Sequence, residues 1–567
     1  MVTNDPPEYA SAEMPTSADK VSGSAPPLLS FSSSEFRFVA AFAIILCVLT
    51  SLPYWAARRA VIPGKVFTGL LVQSFDSNNY LAYSRQAADG QWLFRNPMTP
   101  EPHEPVFFNL EWLLIGKVAS VLHVSLTDAT DILRIVSIAG MCFGVYWLSI
   151  YVLQNAFMRR LALVAIMAGG GFGWIVAVHL IGVRLNSSFF LDLTNANLFP
   201  FYWELKLAHF LISETFIVLG LAFFLCAERN KQAVHYVGAG LCYMAAGTCR
   251  PYDMLFAMAS TVLYLGWSFW SQPDRRSSLV LRATPVIMCV PLLGYFLWLF
   301  KIHPVFRWWT IAGNPAPPAW LLAWSFGPSF FLLLVAAWRL RRGGLTDSGI
   351  FMLSCFVTAV VLAHLHGIFH FAFQFATNIL LPMVMLVLLG LESAIMAWSD
   401  RSTKVATISV TGLLFLNSLT SLALTGQAVV LARRGEFHTD AAKMAVYSWL
   451  DQHSQKNDVV LADLDIANEI PQYTRDVVFC GYGNAVDFAR KTRQLKQFLD
   501  PATGNAFRQD LIRQYGIRFV LLTTTEEHAA PTLAEATFVK EIFRNSAAVI
   551  YAVTDLPRKE LAILLRP

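Results

Sequence analysis

Charge is what this 567-residue sequence has least of: Asp, Glu, Lys and Arg together make up 14%, and hydrophobic residues 55%. Ordinary soluble domains carry roughly 25% charged residues, so a soluble multidomain enzyme is excluded. The shortage is uneven. Residues 433–567 hold 17 basic and 17 acidic side chains, whereas residues 1–432 hold only 47 charged side chains in all. The first three quarters therefore read as membrane and the last quarter as a water-soluble domain. Cysteine is scarce too, at eight residues, seven of them in or beside apolar runs and only Cys480 in the charged quarter. That excludes a disulfide framework and a CxxC metal knuckle, and leaves buried small hydrophobes. Nucleotide loops are missing as well. Gly169-Gly170-Gly171 lacks a following Lys-Ser/Thr and reads as a helix-packing stretch, and Gly481-Tyr482-Gly483 is a lone GxG that reads as a loop. The net charge of +5 is spread over short connectors, which is membrane topology and not a nucleic-acid surface.

What is present is a series of long apolar runs. A spanning helix needs about 20 mostly apolar residues, and eleven segments qualify: 36–56, 132–153, 162–182, 208–227, 232–249, 253–271, 283–301, 319–338, 348–368, 374–395 and 405–425. The fold class expected is an α-helical polytopic membrane protein of about eleven spans with a C-terminal soluble α/β domain. Residues 1–35, rich in Ser, Pro and Ala, read as a disordered cytoplasmic tail. The stretch 106–124 carries Glu111 and Lys117 and is interrupted by Asn109 and Gly116, which suits a helix lying in the interface. With that stretch outside the membrane and the N-terminus inside, the pairs Arg159/Arg160, Arg229/Lys231, Arg275/Arg276 and Arg341/Arg342 are all cytoplasmic. The first loop, 57–131, and the domain 433–567 then share the outer face of the cytoplasmic membrane. Arg58 and Arg59 fall on that outer face, against the charge rule, and need an interfacial or functional role.

The soluble quarter alternates helical and strand-like runs: a helix over 440–454, strands at 459–462 and 477–479, helices near 490–499 and 506–515, then strands at 517–523 and 547–553. Alternation of this kind builds a small layered sheet.

The chemistry concentrates in the first loop. Asp76 lies beside Asn78, Asn79 and Tyr80, close to the outer end of the first span, where a carboxylate can take the proton of a sugar or lipid hydroxyl. A second reading stays open, in which Asp76 caps a helix over 77–89. The pattern Asp76-x3-Tyr80-x5-Gln86-x3-Gly90-x-Trp92, then Pro102-His103-Glu104-Pro105, an amphipathic stretch to Val124 and Arg134 in the next span, resembles the first outer loop of GT-C-type glycosyltransferases. These are polytopic enzymes that take sugar from a polyprenyl-phosphate carrier, as do protein O-mannosyltransferases and the lipid A aminoarabinose transferase. The resemblance covers about 80 residues in detail. Beyond them it extends to layout: Arg250-Pro251-Tyr252 at an outer helix end, Gln374-Phe375 opening a span, and the outer C-terminal domain.

That resemblance implies an inverting transfer with Asp76 as the catalytic base, a polyprenyl-phosphate-linked sugar as donor and a lipid, glycan or protein as acceptor. It departs from the family at Ser77, where an Asp-Glu pair is common, and at His103-Glu104-Pro105, where relatives carry Lys-Pro. For the donor phosphate it points to Arg250 first, with His103, Tyr80, Arg58, Arg59, Arg134 and Gln374 as further candidates. It fixes no cofactor, but a divalent metal is possible, since some members use one held by an acidic pair, to which Asp192 or Glu204 could contribute. His364, His366 and His370 do not share one helical face and are not expected to bind zinc. The competing class is a transporter or lipid-linked-sugar flippase; the sequence shows no pair of related halves to favour it.

Overall fold

The computed structural model describes residues 31–72, 75–175, 190–195, 198–206, 208–309, 316–395, 400–524, 526, 533 and 536–554. The expected tail therefore lies outside the described residues up to position 30. The first helix, α1 (Ser33–Arg59), starts earlier than its apolar run because Ser32 and Glu35 form a capping box. Residues 33–35 accordingly belong to the helix and not to a tail. Next come α2 (Phe75–Ala88), α3 (Leu110–Leu122), α4 (Leu126–Val152), α5 (Ala156–Met167), α6 (Leu191–Thr194), α7 (Pro200–Lys206), α8 (Ala208–Asn230), α9 (Ala233–Cys249) and α10 (Pro251–Ser271). The membrane part closes with α11 (Leu279–Arg282), α12 (Thr284–Lys301), α13 (Ala319–Ser325), α14 (Pro328–Gly343), α15 (Asp347–His364), α16 (Leu380–Ile395) and α17 (Asp400–Arg433).

Among the described residues eight helical segments are long and apolar enough to cross a membrane, or nine if α13 and α14, bent by 100°, make one broken span. Three of the eleven expected segments look different from simple spans. The run 319–338 breaks between Ser325 and Pro328, where Gly327 takes a positive φ of 56°. The run 232–249 is a helix of 17 residues. Of the run 162–182, the described part is an α-helix to Met167 and a 3-10 turn at 173–175, and residues 176–182 lie outside the described residues. The glycines there pack closely, and Gly171 and Gly173 also serve as donors. A Cβ on Gly171 would come within 1.9 Å of the Ser325 carbonyl oxygen. The N–H groups of Gly171 and Gly173 donate to Asp192 Oδ2, at 2.9 and 2.7 Å.

The interfacial stretch is α3, 13 residues long. At 1.5 Å per residue it spans about 20 Å, too little to cross a hydrocarbon core of about 30 Å. Gly116 lets it lie against α2, since a Cβ there would meet the Ser84 carbonyl oxygen at 2.3 Å.

The C-terminal part is a five-stranded sheet in the order β4-β3-β5-β7-β6. Its strands are β3 (Val459–Leu461), β4 (Val477–Val478), β5 (Ile517–Thr523), β6 (Val539–Arg544) and β7 (Ala548–Val553). Strands β4, β3 and β5 run parallel, and β7 pairs antiparallel with both β5 and β6. Helices α18 (Ala441–His453), α19 (Leu464–Tyr473), α20 (Phe488–Leu499) and α21 (Asn505–Tyr515) accompany the sheet. The sequence reading missed β6 and α19, whose Pro471 and mixed composition hide their type.

This domain is fastened to the first loop. Strand β1 (Lys65–Phe67) pairs antiparallel with β2 (His438–Asp440). The edge of the sheet continues into the loop, with Val478 N–H donating to the Pro97 carbonyl at 3.0 Å. Ion pairs join Arg85 to Asp451, Arg475 to Asp89 and the buried Lys491 to Glu101. Loop and domain thus lie together at one end of the helical bundle. At the other end of the bundle Arg159 pairs with Glu35, and Arg282 with Glu228.

Candidate functional site

Asp76 lies in the first turn of α2, where a carboxylate is favoured by the unpaired N–H groups of the helix start. The helix begins at Phe75, so Asp76 is inside it and does not cap a helix starting at 77. Its side chain faces the C-terminal domain: Tyr482 donates its phenolic hydrogen to Asp76 Oδ1, and the Phe75 and Tyr482 rings stack at 6.5 Å. Burial, followed by the charge of Asp76, pushes the Tyr482 phenol far above its ordinary value, so it stays a donor. One turn along α2, Tyr80 rests on Trp112 at 5.2 Å and on His209 at 4.5 Å. Burial also raises the Tyr80 phenol, helped by the negative charge of Asp76.

Beneath Tyr80 lies a second group. The buried Glu111, in the first turn of α3, pairs with His209 Nδ1 at the start of α8. One turn further on, Ser213 donates to Asp253 Oδ2 at 2.5 Å. Asp253 Oδ2 lies 3.1 Å from Arg250 Nη1, and Glu214 Oε1 lies 3.8 Å from the same nitrogen. The Arg250 guanidinium is buried and stands 4.1 Å over the Phe210 ring. None of its three nitrogens makes a hydrogen bond among the described residues. Arg250 occupies the turn between α9 and α10, and Pro251 starts α10 at a position where a missing N–H costs nothing.

Solved structures of similar fold include glycosyltransferases. One is the archaeal oligosaccharyltransferase AglB from Archaeoglobus fulgidus, in complex with an inhibitory peptide and a dolichol-phosphate. It has a TM-score of 0.50 and 11% identity, over 93% of this chain and 76% of that one. Another is ArnT from Cupriavidus metallidurans bound to undecaprenyl phosphate, with a TM-score of 0.50 and 10% identity over 92% of this chain and 98% of that one. A third is the arabinofuranosyltransferase AftD from Mycobacteria, with a TM-score of 0.55 and 14% identity, of which this chain spans only 40%. The chain has the GT-C glycosyltransferase fold. No protein-family model and no curated sequence matches it, so the likeness is one of fold.

Within this GT-C fold the expected site residues divide into two sets. Asp76, Tyr80 and Arg250 come to one region: the charges of Asp76, Glu111 and Arg250 all act on the Tyr80 phenol. Gln374 lies in a 3-10 turn, Ala372–Asn378, beside Phe375, whose ring meets that of Tyr252 at 5.5 Å.

The remaining candidates are committed elsewhere. Arg134 spends all five of its N–H donors on Asp131, Thr50, Ser51 and the Glu204 carbonyl, which leaves none for a phosphate. His103 accepts from the Asn96 N–H at Nε2 and donates from Nδ1 to the Glu101 carbonyl, so both ring nitrogens are used. Burial lowers its pKa, which keeps the ring neutral. Arg58 pairs with Asp128 at 2.7 Å and Arg59 lies 4.3 Å over Trp55; both are surface contacts at the end of α1. Asp192 and Glu204 do not form an acidic pair. Asp192 accepts from two glycine N–H groups and Thr420, and the Glu204 carboxyl is buried with no hydrogen-bond partner among the described residues. Among the described residues no group of three or more His, Cys, Asp or Glu is placed to hold a metal ion. His364 and His366 bond to backbone carbonyls instead.

Sequence reasoning missed Tyr482, Glu111, His209 and Asp253. Only Asp253 carried a readable signal, an acid three residues after Arg250 across a helix start. Tyr482 was legible only as part of a glycine pattern.

Proposed function

We propose that the protein is a membrane glycosyltransferase that moves a sugar from a polyprenyl-phosphate donor to an acceptor on the outer side of the cytoplasmic membrane, with Asp76 as base. The observation that supports this most is the position of Asp76: an accessible carboxylate in the first turn of the helix that follows α1, in a GT-C fold, beside a buried group containing Arg250. In the reaction the acceptor hydroxyl gives its proton to Asp76 while its oxygen attacks the anomeric carbon. The bond from that carbon to the carrier phosphate breaks on the opposite face, and polyprenyl phosphate leaves with the electron pair. One carboxylate suffices for such an inverting transfer; a retaining mechanism would need a second about 5 Å away. Arg250, whose three nitrogens make no hydrogen bond among the described residues, holds the departing phosphate, with Tyr80 and Gln374 as further contacts to the donor.

The outer orientation rests on charge. Arg159, Arg275 and Arg282 stand at the end of the bundle opposite the first loop and the C-terminal domain, which suits a cytoplasmic face there. The reading is tested in cells whose own copy has been removed. Asp76→Asn keeps the shape and removes the base, and should cut the glycosylated product by roughly 10²–10⁴-fold. Undiminished product would refute the assignment.

A further inference from the structure

The soluble domain reaches the candidate base directly. Tyr482 leaves β4 on a short loop, and this loop is fixed on both sides. Gly481 N–H donates to the Met98 carbonyl at 3.2 Å, and a Cβ on Gly481 would come within 2.6 Å of Val478 Cγ2 and 2.7 Å of Met98 Sδ. A larger residue there would push against both side chains. Two residues beyond Tyr482, the buried Asn484 takes a hydrogen bond from Asn96 at 2.7 Å through its carbonyl, and its side-chain amide lies 3.4 Å from both Asn79 Oδ1 and the Tyr83 hydroxyl.

The helix that bears Asp76 is gripped by the same domain. Asn78 donates to Asn468 Oδ1 at 2.9 Å and accepts from Gln472 at 3.1 Å, and Asn468 donates to the Phe75 carbonyl at 3.2 Å. These amides are buried, and a buried polar network fixes geometry because each unmade bond is costly. Beside this network the Tyr482 hydroxyl meets Asp76 Oδ1.

We infer that Tyr482 is a positioning residue for Asp76, and that the C-terminal domain completes the transfer site instead of being an appendage to it. The inference rests on the reading of Asp76 as the base. A carboxylate free to rotate about its Cβ–Cγ bond presents either oxygen in many directions. One fixed by a phenolic donor presents a single oxygen to the acceptor. Misplacement of a reacting group by about 1 Å costs on the order of 10²-fold in rate, so loss of this bond acts on turnover and not on donor binding.

The test uses the full chain in native membranes, with the lipid extract of those membranes as the donor source. Tyr482→Phe keeps the ring and its stack on Phe75 and removes only the donor. Expected is a ten- to hundredfold fall in maximal transfer, with the dilution of extract that gives half-maximal transfer unchanged. Gly481→Ala, which displaces the loop while keeping the tyrosine, should reproduce the fall. On purified protein, the infrared carboxylate band that disappears in Asp76→Asn should shift in Tyr482→Phe. Wild-type transfer and an unmoved band in Tyr482→Phe would overturn the inference while leaving the base assignment intact. Wild-type transfer by Asp76→Asn would instead overturn the base assignment itself.

Discussion

His209 presents Nδ1 to the buried carboxylate of Glu111, and its ring lies 4.5 Å from that of Tyr80, one helical turn from Asp76. The pair joins α3 to the start of α8 and lies against Tyr80. Removing one member of a buried hydrogen-bonded pair leaves the other's polar group unsatisfied, at about 1–3 kcal/mol. Glu111→Ala should therefore lower the apparent melting temperature of the detergent-solubilised chain strongly, and Glu111→Gln, which can still accept from Nδ1, much less. Equal melting for Glu111→Ala and wild type would mean that the contact carries no weight.

Arg250 is predicted to hold the carrier phosphate. Its planar guanidinium can grip two phosphate oxygens, which a lysine ammonium cannot do. Binding of undecaprenyl phosphate to the purified chain should weaken in Arg250→Lys, and by roughly 10–100-fold in Arg250→Ala, the worth of about 1.5–3 kcal/mol for a charge-assisted bond. Wild-type affinity in both variants would leave Arg250 as the partner of Asp253 and Glu214 alone.

The C-terminal domain carries its own pH signature in Asp476, next to β4. Burial pushes this carboxyl up to about 7 against an ordinary 3.8, with the nearby Ser454 and Thr474 hydroxyls pulling the other way. Because its pKa is raised on folding, the folded state holds the proton more tightly, and stability falls as pH rises from about 4 to about 7 and is level above. Thermal unfolding of the domain in the full chain, followed between pH 4.5 and 8, should show this decline in wild type, and Asp476→Asn should flatten it.

Topology gives a further check. Reporter fusions after Arg160, Arg342 and Pro567 should read inside, inside and outside. An inside result at Pro567 would contradict the outer placement of the domain.

Much of the architecture could be read from the sequence because it follows from composition. Most of the apolar runs are helices long enough to span, and the strands at 459–461 and 517–523 are β-branched runs between turn residues. Glu111 and Lys117 spoke against 106–124 as a span, and α3 is indeed too short to be one, although Gly116, taken as an interruption, proved to be a packing contact with α2. The site was less legible. Asp76 stood out by its neighbours, but its partner Tyr482 is 406 residues away and is brought to it by the docking of an entire domain. Arg134 and His103 looked available because sequence shows the donor and not its acceptors. Arg134 is consumed by atoms from α1, α4 and α7, and His103 by two backbone groups of its own loop.

The most direct test of the account is a single-turnover transfer measurement in proteoliposomes containing the purified chain and radiolabelled polyprenyl-phosphate sugars drawn from the native membranes. Wild type should release label from the carrier to an acceptor presented on the face of the C-terminal domain, and Asp76→Asn should bind the same lipid but release it at least roughly a hundredfold more slowly. Equal release by the two proteins, or transfer only to an acceptor on the opposite face, would contradict it.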